Sequence, residues 1–153
     1  MALMAACAAA SLSLWSLPAD AAAGALHWFG LVPALSGEPA HWFAPLTSLL
    51  LHAGWAHLLV NLAYLWLFGR GLEAALGHAR IVALFGLSGL AGELAQIMAV
   101  PTSQLPMIGA SGGIAGILGA YLLLFPRANI LTLTMVWRSS LIVRIPALLV
   151  IGD

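Results

Sequence analysis

The chain has 153 residues, of which 63% are apolar and only 7% are charged, and its formal net charge is zero. A soluble domain carries roughly 25% charged residues because its surface must face water. The composition, with a mean hydropathy of +1.06, therefore excludes an ordinary soluble domain and gives no basic surface for nucleic acid. It predicts an integral membrane protein with a single domain over 1–153.

Four apolar stretches have about the length needed to cross a bilayer, and a fifth is incomplete. A membrane helix requires about 20 mostly apolar residues. The predicted spans in chain order are 2–17, 47–69, 81–100 and 109–125, followed by a partial helix over 141–152. Together they predict an all-α bundle that is integral to the membrane.

The first stretch has two interpretations. Ala19-Asp20-Ala21 resembles a signal-peptidase site, so 2–17 is either a cleaved leader or a retained helix. No Lys or Arg precedes the apolar run, which favours the retained helix. Cys7 is the only cysteine, so an internal disulfide is excluded.

The arginines predict the orientation, because positively charged loops stay in the cytoplasm. All of them fall on one side if the spans alternate in direction, at Arg70, Arg80, Arg127, Arg138 and Arg144. The starts of the second and fourth spans then lie at the outer face.

Two connections have their own patterns. The connection 18–46 contains Trp28, Phe29, Trp42 and Phe43, aromatic residues that are typical of membrane–water interfaces. The segment 128–137 alternates polar and apolar residues, which predicts either an interfacial hairpin or a short strand.

His57 and Asn61 are the polar pair of the second span. They lie four residues apart, so they share one helix face, about 6 Å apart along the axis. Polar side chains are costly in a bilayer and are commonly functional. The alternative is that they hydrogen-bond neighbouring helices.

Ser111 lies in the run from Gly109 to Gly113, at the start of the fourth span. The run fits the G-x-S-x-G elbow, but that motif needs a strand and a large sheet, which this chain does not provide. Gly112, Gly116 and Gly119 predict close helix packing. A serine at a helix start lies near free backbone N–H groups, which are suited to stabilise an oxyanion.

Three motifs together resemble the rhomboid family of intramembrane serine proteases, over about residues 26–152. The run HAGWAHLLVN from His52 to Asn61 is similar to the family's H-x-x-x-N region. The run GRGLEAALG from Gly69 to Gly77 is similar to its E-x-x-x-G helix ending. Gly109-Ala110-Ser111-Gly112 is similar to its G-x-S-G nucleophile motif.

The resemblance implies a rhomboid-like multi-pass bundle in the bacterial cytoplasmic membrane that cleaves the transmembrane helices of membrane protein substrates. It implies that Ser111 is the nucleophile, that His57 and Asn61 hold the oxyanion, and that no metal or other cofactor takes part. Glu73 would tie the inner end of the second span to a neighbouring loop. Gly109, Gly112 and Gly116 would be structural.

The family's catalytic base is a histidine on the sixth helix, in a motif like A-H-x-x-G. All histidines of this sequence precede Ser111, at His27, His41, His52, His57 and His78. The expectation is therefore a C-terminally truncated chain that lacks the sixth helix and does not cleave substrate by itself.

The remaining polar residues are expected to be structural, namely Glu93 and Gln96 in the third span, His52 and Tyr121. A second class of function is a non-catalytic rhomboid-like protein that binds transmembrane segments. A small transporter would show inverted repeats, and the sequence has no such symmetry.

Overall fold

A computed structural model describes residues 2–136 and 139–147. The chain forms two compact units, one up to Ile117 and one from Leu118 onward, and a single domain over 1–153 stays a prediction. The elements in chain order are α1 (Ala2–Trp15), α2 (Ala19–Phe29), α3 (Ala44–Thr47), α4 (Trp55–Tyr64), α5 (Arg70–Leu76), α6 (His78–Ala99), α7 (Ser111–Leu124), β1 (Asn129–Val136) and β2 (Ser139–Pro146).

Helices occupy most of each predicted complete span. Within the described residues, α6 is the one helix long and apolar enough to cross a membrane by itself. The helices α1 and α7 are apolar but have only 14 residues each. The predicted helical fold class is confirmed for this part of the chain.

The predicted span 47–69 is not one continuous helix, because the helix is broken within it. Two helical segments, Pro39–Leu50 and Trp55–Leu76, meet at an angle of 75°. Leu51 and Gly54 have extended backbones, so the helix ends before them and begins again at Trp55. From there it continues through a π-helical turn at Leu65–Gly69 into α5.

The first unit buries one stripe of each long helix. Leu58, Phe68 and Leu72 come from the α4–α5 segment, and Phe85 comes from α6. The opposite faces remain apolar and exposed, with Leu87 at 69% and Met98 at 75% exposure on α6. Such outward apolar surface suits a helix that contacts lipid.

The second unit contains an antiparallel hairpin, paired from Asn129 with Pro146 to Val136 with Ser139. The sequence left two alternatives for 128–137, a hairpin or a short strand. The structure has a strand over Asn129–Val136, which is the first strand of this hairpin. The predicted helix over 141–152 is wrong as far as Pro146, because β2 occupies that part. Its β-branched residues favour an extended chain. Residues 148–152 and Arg138 lie outside the described residues.

Candidate active site

The helix α4 carries His57 and Asn61 on one face. The Asn61 side chain is buried, and its Nδ2 donates a hydrogen bond to the His57 carbonyl oxygen at 2.9 Å. This bond uses one of the two N–H donors of the amide. Asn61 is therefore fixed against its own helix, while the His57 ring is half-buried and reachable.

The side chains of His57 and Ser111 both lie close to Gly109. Its φ is +133°, a region that side chains rarely adopt. A Cβ atom at this position would lie 2.8 Å from His57 Cε1, 2.9 Å from His57 Nε2 and 3.9 Å from Ser111 Oγ. The imidazole Nε2 and the serine Oγ are therefore separated by no more than the sum of the last two distances.

Ser111 is exposed and begins α7. The N–H of Ile114 donates to the carbonyl oxygen of Ala110 at 2.9 Å. The three N–H groups that precede Ile114 in the helix lie before this first intrahelical bond. The serine hydroxyl, the imidazole and these N–H groups all lie close to the Gly109 turn, and N–H donors near a serine are suited to stabilise an oxyanion.

A cavity of about 270 Å³ adjoins Ser111. Apolar side chains and glycine backbones form much of its wall, and its polar lining includes Glu93, Gln96 and Ser111. The helices α6 and α7 approach closely here, because a Cβ at Gly112 would lie 3.3 Å from the Gly89 Cα. A Cβ at Gly116 would overlap Ser88, whereas Gly119 faces open space.

Glu93 is buried at 7% exposure, and its Oε1 accepts a hydrogen bond from the Ser48 hydroxyl. Its Oε2 has no hydrogen-bond partner within the described part of the chain. The sequence interpretation grouped Glu93 with Gln96, but Gln96 is exposed. It did not single out Ser48, whose only signal was a hydroxyl in an apolar run.

His52 is fully buried behind His57. Its Nδ1 lies 3.0 Å from Ser11 Oγ, and its carbonyl oxygen accepts a hydrogen bond from Trp15 Nε1 at 3.0 Å. The rings of His52 and His57 meet edge to face with centroids 4.9 Å apart. His52 therefore connects α1 to the candidate site.

Glu73 lies away from these groups, at the α5–α6 junction. Its Oε1 is 2.6 Å from Nδ1 of His78, the first residue of α6. Sequence reasoning found no partner for His78. The pair ties the end of α5 to the start of the next helix.

A sequence model of the Rhomboid domain matches residues 39–152. The chain is 40% identical to RHOMBOID-like protein 5 of Arabidopsis thaliana over 72 residues, which is 47% of this chain and 23% of that protein. It is 38% identical to rhomboid protease GluP of Bacillus subtilis over 81 residues, 53% of this chain and 15% of that protein.

A similar match is to Inactive rhomboid protein 1 of Drosophila melanogaster, at 34% identity over 96 residues, 62% of this chain and 7% of that protein. The chain spans less than half the length of the curated relatives it matches. No solved structure gives a significant match.

Proposed function

The chain belongs to the rhomboid family, and from this premise we propose that it carries the nucleophile and oxyanion donors of an intramembrane serine endopeptidase. The observation that carries the proposal is that the His57 ring and the Ser111 hydroxyl both lie within 4 Å of the position that a Gly109 Cβ would occupy. Membership in the family makes the chain a membrane protein, and its helical first unit agrees with this.

The proposed reaction is acyl transfer through Ser111. Its Oγ attacks a peptide carbonyl carbon, its proton passes to a base, and the carbonyl oxygen becomes an oxyanion. His57, the second N–H of Asn61 and the N–H groups at the start of α7 stabilise that charge. The C–N bond then breaks, the amine leaves with a proton, and water hydrolyses the Ser111 ester to a carboxylate.

The proposed substrates are transmembrane helices of other membrane proteins. A helical substrate keeps its carbonyl groups in its own hydrogen bonds, so its cleavage region must unwind before Ser111 can attack. Small or helix-breaking residues near the cleaved bond are the expected preference.

We propose a multi-pass arrangement in the bacterial cytoplasmic membrane. The starts of α4 and α7 lie at the outer face, and the arginine-containing links lie in the cytoplasm. His57 and Ser111 are then both in the outer half of the bilayer.

A second candidate function is a non-catalytic rhomboid-like protein that binds transmembrane segments. The match to Inactive rhomboid protein 1 favours it. The presence of Ser111, His57 and Asn61 together favours the enzyme, because a binder has no need of a nucleophile.

A fluorophosphonate probe separates the two functions when it is applied to the native gene product that contains this chain. Labelling and cleavage of a model transmembrane substrate are expected, and both are lost in Ser111→Ala. The control Ser13→Ala removes an exposed hydroxyl on α1 and keeps both activities. Absence of labelling in the unaltered product would favour the binder.

The 153-residue chain alone is expected to be inactive in the same assay. All five histidines precede Ser111, and the position of His57 is proposed to serve the oxyanion. A serine hydroxyl without an adjacent base is a weak nucleophile. Ser111-dependent cleavage by the chain alone would contradict this expectation.

A further inference from the structure

Ser48 makes two hydrogen bonds that connect α6 to the Gly109 turn. Its hydroxyl donates to Glu93 Oε1. Its carbonyl oxygen accepts the Gly109 N–H at 2.9 Å. A continuous path therefore runs from the buried Glu93 carboxyl, through Ser48, to the backbone of Gly109.

The backbone of Gly109 is closely surrounded by the groups of the proposed reaction. The His57 ring lies against the position where a Gly109 Cβ would be, and Ser111 follows two residues later. A shift of this turn would move the Ser111 hydroxyl relative to the imidazole. A misplacement of about 1 Å can cost about a hundredfold in rate.

We propose that Glu93 is a positioning residue that holds the Gly109 turn in its reactive geometry through Ser48. This inference rests on the proposed function and adds a residue to it. Glu93 acts through Ser48 and does not itself bond to the reacting atoms.

The burial of Glu93 indicates that its carboxyl group has a role other than helix packing. A carboxyl group at 7% exposure on a membrane helix carries a desolvation cost. Close packing of α6 on α7 does not require it, because Gly89 and Gly112 already bring the two backbones together. The bond to Ser48 is the one hydrogen bond of its carboxyl group within the described residues.

The substitutions separate the hydrogen bond to Ser48 from the ionisable carboxyl group. Glu93→Gln removes the ionisable carboxyl group but keeps an oxygen that accepts from the Ser48 hydroxyl. Glu93→Leu has a similar size and no acceptor. Ser48→Ala removes the hydroxyl but leaves the carbonyl group that binds Gly109. Cys7→Ala is the control for lost packing, because it truncates a fully buried side chain on α1.

The measurements use the native gene product that contains the chain, at a temperature well below its unfolding midpoint. Glu93→Leu is expected to lower the rate constant of Ser111 labelling and the kcat for a transmembrane substrate by about ten- to a hundredfold, with KM unchanged. Ser48→Ala should act in the same direction, and the double variant should be no worse than the more affected single variant. Glu93→Gln should restore labelling to near the wild-type rate.

Three results would overturn the inference. Unchanged labelling in Glu93→Leu with a lowered unfolding midpoint, as expected for Cys7→Ala, would make Glu93 merely structural. Equal loss in Glu93→Gln and Glu93→Leu would show that the ionisable carboxyl group matters, and not its hydrogen bond to Ser48. Absence of Ser111 labelling in the wild-type product would overturn the proposed function and this inference with it.

Discussion

Two polar clusters with buried members lie behind His57 and Ser111 in the described part of the chain, and they reach these side chains by different contacts. The histidine cluster (Ser11, Trp15 and His52) touches His57 through a ring contact at 4.9 Å. The carboxyl cluster (Ser48 and Glu93) reaches the turn before Ser111 through a hydrogen bond to the Gly109 N–H.

The difference bears on what each cluster controls. A hydrogen bond to a backbone N–H fixes the path of the chain, so its loss moves every group attached to that turn. A ring contact restricts the position of one side chain, here His57, and its loss leaves the backbone of α4 in place. The carboxyl cluster should therefore affect the chemical step more, and the histidine cluster should affect mainly stability.

Gly109→Ala should have the largest effect, because it acts where both clusters converge. The new Cβ would lie within 3 Å of the His57 ring, at a φ of +133° that alanine rarely adopts. We expect kcat and the rate constant of Ser111 labelling to fall at least about a hundredfold, since the imidazole and the serine move apart. Near-normal labelling would contradict the convergence at Gly109.

Gly24→Ala is the matched control for that substitution. A Cβ at Gly24 meets nothing within 4 Å, and Gly24 lies inside α2. Alanine should stabilise the helix by roughly 0.5–1 kcal/mol and leave labelling unchanged.

Ser11→Ala should have a smaller effect and a different kind of effect. It removes the hydroxyl beside His52 Nδ1, which keeps a contact with the Leu50 carbonyl oxygen at 3.2 Å. The same hydroxyl also donates to the Leu50 carbonyl oxygen at 3.3 Å. We expect a loss of about 1–3 kcal/mol in the free energy of unfolding, as for two hydrogen bonds, with labelling within about threefold of wild type. A loss of labelling as large as in Glu93→Leu would remove the distinction between the clusters.

The features that depend on local spacing could be predicted from the sequence. The apolar run of α6 and the shared face of His57 and Asn61 follow from the helical repeat. The second strand of the hairpin is not predicted, because apolar content alone does not separate a strand from a helix; the β-branched residues of β2 favour the strand.

The link between Ser48 and Glu93 had no local signal. The two residues are 45 positions apart, and Ser48 lies in the segment Pro39–Leu50, which meets Trp55–Leu76 at an angle of 75°. The sequence predicts one span over 47–69 and gives no signal for a bend within it. A hydrogen bond between residues this far apart is found only once the chain is folded.

The last and smallest effect on activity is expected at the packing of Gly116 on Ser88 between α7 and α6, which involves neither Ser48 nor Glu93. A Cβ at Gly116 would overlap the Ser88 side chain, so Gly116→Ala should lower the free energy of unfolding by about 1–3 kcal/mol. Adding Ser88→Gly removes the overlap and should recover part of that loss, while Gly119→Ala, in open space, should cost nothing. Labelling of Ser111 should stay near wild type in every folded variant, because the Ser48 bonds to Glu93 and Gly109 are intact. If Gly116→Ala slowed labelling as much as Glu93→Leu does, helix packing would account for the geometry of the turn, and the carboxyl cluster would lose its separate role.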